Sequence, residues 1–176
     1  MDLEKAYLHH ILIFFESGDR SGPMFRTFVD NWFAHANQDV FLTKNGNPVW
    51  FNNPDPGKPK IASALRKMHF ISRNAMEQID DQTRGNLIKD HMIPIKVLET
   101  IVRNERPGTI ESLRTLLMKF YSLGVITKHE DQKLNQAGLK SSMPEGWYLT
   151  QKLTARYDAI NISPGINRVD RIDHPS

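Results

Sequence analysis

Cysteine is absent from the 176 residues. That excludes disulfides, thiol nucleophiles and every thiolate-ligated zinc or iron–sulfur site. Any metal would have to sit on His, Asp, Glu, Asn or carbonyl oxygens, a donor set suited to hard cations such as Mg²⁺ or Mn²⁺. A long apolar run is also lacking. "YLHHILIFF" (7–15) is interrupted by His9 and His10 and falls far short of the roughly 18–20 residues that span a bilayer. It carries neither the basic flank nor the cleavage site of a signal peptide. No membrane association and a cytoplasmic location are therefore expected. Nucleophile motifs of the G-x-S-x-G type are missing too, which removes the commonest serine hydrolases. Charge of one sign is scarce in excess: 23 Lys and Arg stand against 20 Asp and Glu, a net +3 with a sequence pI near 9.2. That mild basicity is compatible with a polyanionic partner without requiring one.

What is present is ordinary for a globular chain, with 39% apolar and 24% charged residues. Residues 3–16 and 24–36 place Leu, Ile, Phe and Trp at three- and four-residue spacing. This predicts two amphipathic helices that pair as a hairpin. "VFLTKNGNPVWFNN" (40–53) reads as a short β-hairpin about Asn45-Gly46. "NNPDPGKP" (52–59) is a loop and a natural boundary. A single helix is predicted over 60–79, with an apolar stripe from Ile61 to Ile79 and Lys60, Arg66, Lys67 and Arg73 off it. Those four cations either form a solvated face or a ridge that meets phosphates.

The stretch "LIKDHMIPIKVLE" (87–99) puts a carboxylate and an imidazole side by side in an apolar context. It predicts a strand ending near Pro94, then a helix over 96–104 and a further helix over 110–123. Val125-Ile126 is a second short strand. Thr127-x-x-Glu130 is a capping box that starts another helix at once. Residues 148–160 have a weak helical preference, and the last segment reads as a polar, basic tail. The expected organisation is 1–57, 58–162 and 163–176. The fold class is α+β and mostly α: a helical pair and hairpin, then a β–β–α unit interrupted by helices.

Two strands that deliver Asp90-His91 and lead into a helix bearing Asp131 hold the parts that phosphodiester hydrolysis asks for. These are a base near neutral pKa and carboxylates for a divalent cation. "DHMIPIKVL" and "VITKHEDQKLN" resemble the first strand, second strand and helix of the HNH, or ββα-metal, nuclease superfamily. The resemblance spans residues 86–140. It implies a DNA endonuclease with His91 as general base, Asp90 and Asp131 as ligands of Mg²⁺ or Mn²⁺, and Asn135 as a partner of a ligand. Asp131 stands where the superfamily often has its last His. Lys60, Arg66, Lys67, Arg73 and Arg156 are the candidate nucleic-acid contacts, with packing of Arg156 and Tyr157 against the nuclease-like unit as the alternative for Arg156. Each residue also has a structural reading. Asp90 could cap a turn, His91 could be a core histidine, and Asp131 could complement a helix dipole. Glu130 is explained by its capping box. An alternative from another class is a non-catalytic adaptor or inhibitor. It would bind a protein partner, a second copy or nucleic acid through the aromatic N-terminal helices, with "FRTFVDNWF" (25–33) as the docking face.

Overall fold

The computed structural model describes residues 2–18, 21–49 and 55–169. In chain order the elements are α1 (Leu3–Glu16), α2 (Gly22–Ala36), α3 (Gln38–Phe41), α4 (Pro59–Leu65), β1 (Phe70–Ser72), α5 (Arg73–Asp80) and β2 (Leu87–His91). Then follow α6 (Ile95–Glu105), α7 (Ile110–Phe120), β3 (Leu123–Thr127), α8 (Lys128–Gln136), α9 (Trp147–Thr150), α10 (Ala155–Ala159) and β4 (Pro164–Asn167). The protein is α+β and mostly α, as its periodicities predict. No helix among the described residues is long and apolar enough to cross a membrane.

The chain forms two compact units, and both are discontinuous. The first comprises Met1–Val49 and Ile95–Tyr121, the second Trp50–Pro94 and Ser122–Ser176. This differs from the consecutive division expected at 57 and 162. The two helices inserted between β2 and β3 belong to the N-terminal unit, because their apolar faces join its core.

In that first unit α1 packs on α2 and α7, and α2 also packs on α6. Of the "FRTFVDNWF" aromatics, three lie inside and Phe28 is half-buried. Phe25, Trp32 and Phe33 are buried, with rings against Phe14, Phe15, Phe41 and Tyr121. They are core rather than the exposed docking face expected of an adaptor. The Tyr121 hydroxyl donates to Asp30 at 2.6 Å, which satisfies the polar end of an otherwise buried ring. The expected hairpin over 40–53 is reduced. Asn45-Gly46 does turn the chain, with Gly46 at φ 75°. However, among the described residues only Leu42 and Pro48 bridge, since Val40 and Phe41 are taken up in α3. Residues 50–54 lie outside the described residues.

The second unit holds a four-stranded sheet in the order β2-β3-β1-β4. β1 and β3 are parallel, and the two outer pairs are antiparallel. Phe70, Met92, Ile126, Leu134, Tyr157 and Ile162 form its core. The single helix expected over 60–79 is in fact α4, β1 and α5. The i, i+3, i+4 spacing through Ile61, Leu65, Met68 and Ile71 is genuine, yet Phe70-Ile71-Ser72 is drawn into the sheet interior, where successive side chains on both faces are buried. Tertiary pairing overrides local helical preference there. Ser72 then caps α5 through Ala75 N–H at 3.1 Å, so the helix restarts. The polar segment expected as a tail likewise supplies β4. Residues 170–176 lie outside the described residues.

Candidate functional site

β2 and β3 pair antiparallel from Leu87 opposite Thr127 to His91 opposite Leu123. Thr127 ends β3 and caps α8 by accepting from Glu130 N–H, while Glu130 Oε2 accepts from Thr127 N–H at 2.8 Å. The expected capping box is therefore present, and so is the order strand, antiparallel strand, helix.

Glu130 does more than cap. Its buried carboxylate also accepts from the Ser72 hydroxyl at 2.7 Å and from Asn74 Nδ2 at 3.0 Å. Ser72 ends β1 and Thr127 ends β3, so one carboxylate ties together the C-terminal ends of the two parallel strands and the starts of α5 and α8. A buried charge with that many donors is structurally satisfied.

Asp90 lies opposite Gly124 in the ladder. Its Oδ2 accepts from Arg156 Nη2 at 3.0 Å and from the Tyr157 hydroxyl at 2.7 Å. Arg156 Nη1 donates to the His91 carbonyl at 2.9 Å. The Arg156 side chain is 1% exposed and that of Asp90 15%. Tyr157 fits because position 124 has no side chain: a Cβ there would lie 2.7 Å from the Tyr157 hydroxyl oxygen. Burial, reinforced by the negative charge of Asp90, pushes the Tyr157 phenol well above its usual pKa, so it remains a hydrogen-bond donor.

The structure thus brings Asp90 to Arg156 and Tyr157. Of the two readings of Arg156, phosphate contact or packing with Tyr157 against this unit, the structure has the second: it is buried and serves as the counter-ion of Asp90. His91 is buried, at 6% exposure. Asp131 lies in the first turn of α8, with Lys140 Nζ 3.9 Å away, and Asn135 is exposed on the same helix. Among the described residues no three His, Asp or Glu side chains converge to hold a metal ion. The donor set in this arrangement does not suit a divalent cation, because the Asp90 carboxylate already faces a guanidinium.

Lys60, Arg66, Lys67 and Arg73 are all exposed. Arg66 and Lys67 border one cleft together with Arg168, whereas Lys60 and Arg73 do not line it. The sequence offers packing of Arg156 and Tyr157 against this unit but gives Gly124 no part in the site. The available signal was a glycine inside a strand, which marks a close approach by another group.

Comparison with protein-family models, with curated proteins and with solved structures returned no match.

Proposed function

We propose that the second unit is a β–β–α nucleic-acid-binding unit, with DNA as the expected ligand, that binds without metal-dependent cutting. The binding part of this reading is carried by exposed cations, and the metal-free part by the Asp90–Arg156 pair, 3.0 Å long with the Arg156 side chain buried. A fixed positive charge at that carboxylate opposes a second, divalent cation there. The exposed cations Lys60, Arg66, Lys67 and Arg73 support phosphate contact, which is the sequence-independent part of DNA binding. The test is fluorescence anisotropy of a labelled duplex in EDTA. Wild-type protein should bind with affinity falling steeply as salt rises. A variant with all four cations changed to Ala should bind about tenfold or more weakly. Equal binding by both would remove the reading.

A second reading is favoured by one specific observation, the antiparallel β2–β3 pair followed directly by the capped α8. It is a Mg²⁺- or Mn²⁺-dependent DNA endonuclease with His91 as base and Asp90 and Asp131 as ligands. It requires Asp90 to leave both Arg156 and Tyr157. Cutting of plasmid that depends on the metal and on His91 would decide for it.

A further inference from the structure

The sheet order puts β2 and β4 at opposite edges. Three strand spacings, about 14 Å in all, separate them. Beside β4 lies a cleft of about 380 Å³, within the size range of sites for small organic ligands. Its chemistry is divided. Met76 and Ile166 give it an accessible apolar lining, with Ile71 and Ile79 wholly buried behind them. Arg66, Lys67 and Arg168 give it positive charge against the carboxylate of Asp80.

Arg168 is held in place. Its Nη1 donates to the Met68 carbonyl and its Nη2 to the Arg66 carbonyl at 2.8 Å. Both partners are neutral, so the guanidinium keeps its full charge while losing its freedom. Arg66 is held by Asp80 at 3.2 Å. Lys67 forms no ion pair with a described residue among the salt bridges of the unit, and its exposed ammonium is available to a ligand. The wall itself depends on a close approach. At Gly165 a Cβ would lie 3.0 Å from Met76 Sδ and 3.3 Å from the Arg73 Cα, so the glycine is what lets β4 lie against α5 and bring Ile166 to the cleft.

We propose that this cleft binds a mononucleotide-sized phosphate ester, its apolar part against Met76 and Ile166 and its phosphate at Lys67 and Arg168. A guanidinium already fixed by two carbonyls offers a phosphate a pre-oriented positive charge and its remaining N–H groups. An apolar lining alone would suit a fatty chain, and the cations alone would suit inorganic phosphate. The combination, in a volume of this size, selects a compact ligand with both parts. The cleft shares Arg66 and Lys67 with the cations of the nucleic-acid reading, so a duplex and the mononucleotide compete there, but the apolar lining serves the mononucleotide alone.

The experiment is isothermal titration calorimetry of the full chain with 5′-AMP, adenosine, inorganic phosphate and octanoate. Binding of 5′-AMP about tenfold or more tighter than each of the other three is expected. Ser63 is exposed at the cleft, so Ser63→Trp fills it without touching the core and should abolish binding. Lys67→Ala should weaken it about fivefold to tenfold while leaving the melting temperature unchanged. Absence of 5′-AMP binding, equal binding of octanoate, or undiminished binding by folded Ser63→Trp protein would overturn the proposal. Duplex binding by the wild type in the same buffer shows separately whether the nucleic-acid reading stands.

Discussion

Asp90 and Arg156 are 66 residues apart in the chain and 3.0 Å apart in the fold. Their ion pair links β2 to α10, and Arg156 also fixes the carbonyl of His91. The guanidinium is 1% exposed, so neither partner can be removed without leaving an unpaired charge out of water. Arg156→Met should destabilise the protein by about 3–5 kcal/mol, the usual cost of orphaning one member of a buried pair. Asp90→Asn should cost less, because it keeps the shape and one acceptor. In the double variant the two losses should fall well short of additive. Urea unfolding of the four proteins gives the coupling directly, and additive losses would show that the pair is not coupled.

Gly124→Ala should destabilise by about 1–3 kcal/mol, because its new Cβ meets the Tyr157 hydroxyl oxygen in a packed interior. The penalty should shrink by more than half when measured in a Tyr157→Phe background, where that oxygen is gone. Thermal melts of the single and double variants check this. An undiminished penalty would place the strain elsewhere.

Glu130→Ala should cost about 2–3 kcal/mol, since it strips acceptors from the buried Ser72 hydroxyl, Thr127 N–H and Asn74 at once. Local hydrogen exchange at the starts of both α5 and α8 should rise together. A rise confined to α8 would show that Glu130 is only a helix cap.

The pH dependence of stability follows from two tyrosines and a histidine. Burial first, and then the carboxylates of Asp30 and Asp90, push the Tyr121 and Tyr157 phenols well above the unfolded value of 10.0. A pKa raised on folding contributes stability in full below the unfolded pKa, and that contribution is lost as pH rises past it. Stability should therefore fall above about pH 10, and ultraviolet titration should show these two phenols ionising only as the protein unfolds. His69 is shifted the other way, by burial and then by Arg168, to below 6.5. The unfolded chain takes that proton first, so stability is complete above pH 6.5 and declines as pH falls below it. His69→Gln should flatten the acid side of the profile while leaving the alkaline side unchanged.

Much of the fold could be read from the chain, and the failures have a common cause. The two N-terminal helices, the β2 and β3 strands, α6, α7 and the Thr127–Glu130 box all rest on signals within a dozen residues: apolar spacing, caps and breakers. β1 and β4 do not. Phe70-Ile71-Ser72 is a strand because β3 and β4 flank it, and both partners are distant in sequence. The discontinuous units were invisible for the same reason. At the site, the neighbourhood of Asp90-His91 was legible, yet its occupant was not. Arg156 and Tyr157 arrive from a segment with only weak helical preference, and no local pattern announces that an arginine will be buried against a carboxylate.

The most direct test of the central claim is plasmid cutting by the purified chain in Mg²⁺, Mn²⁺ or EDTA, beside His91→Ala. The plasmid should stay intact in all three conditions with both proteins, at concentrations where the wild type binds DNA. Nicking that requires the metal and disappears in folded His91→Ala protein would contradict it, and would mean that Asp90 exchanges Arg156 for a divalent cation.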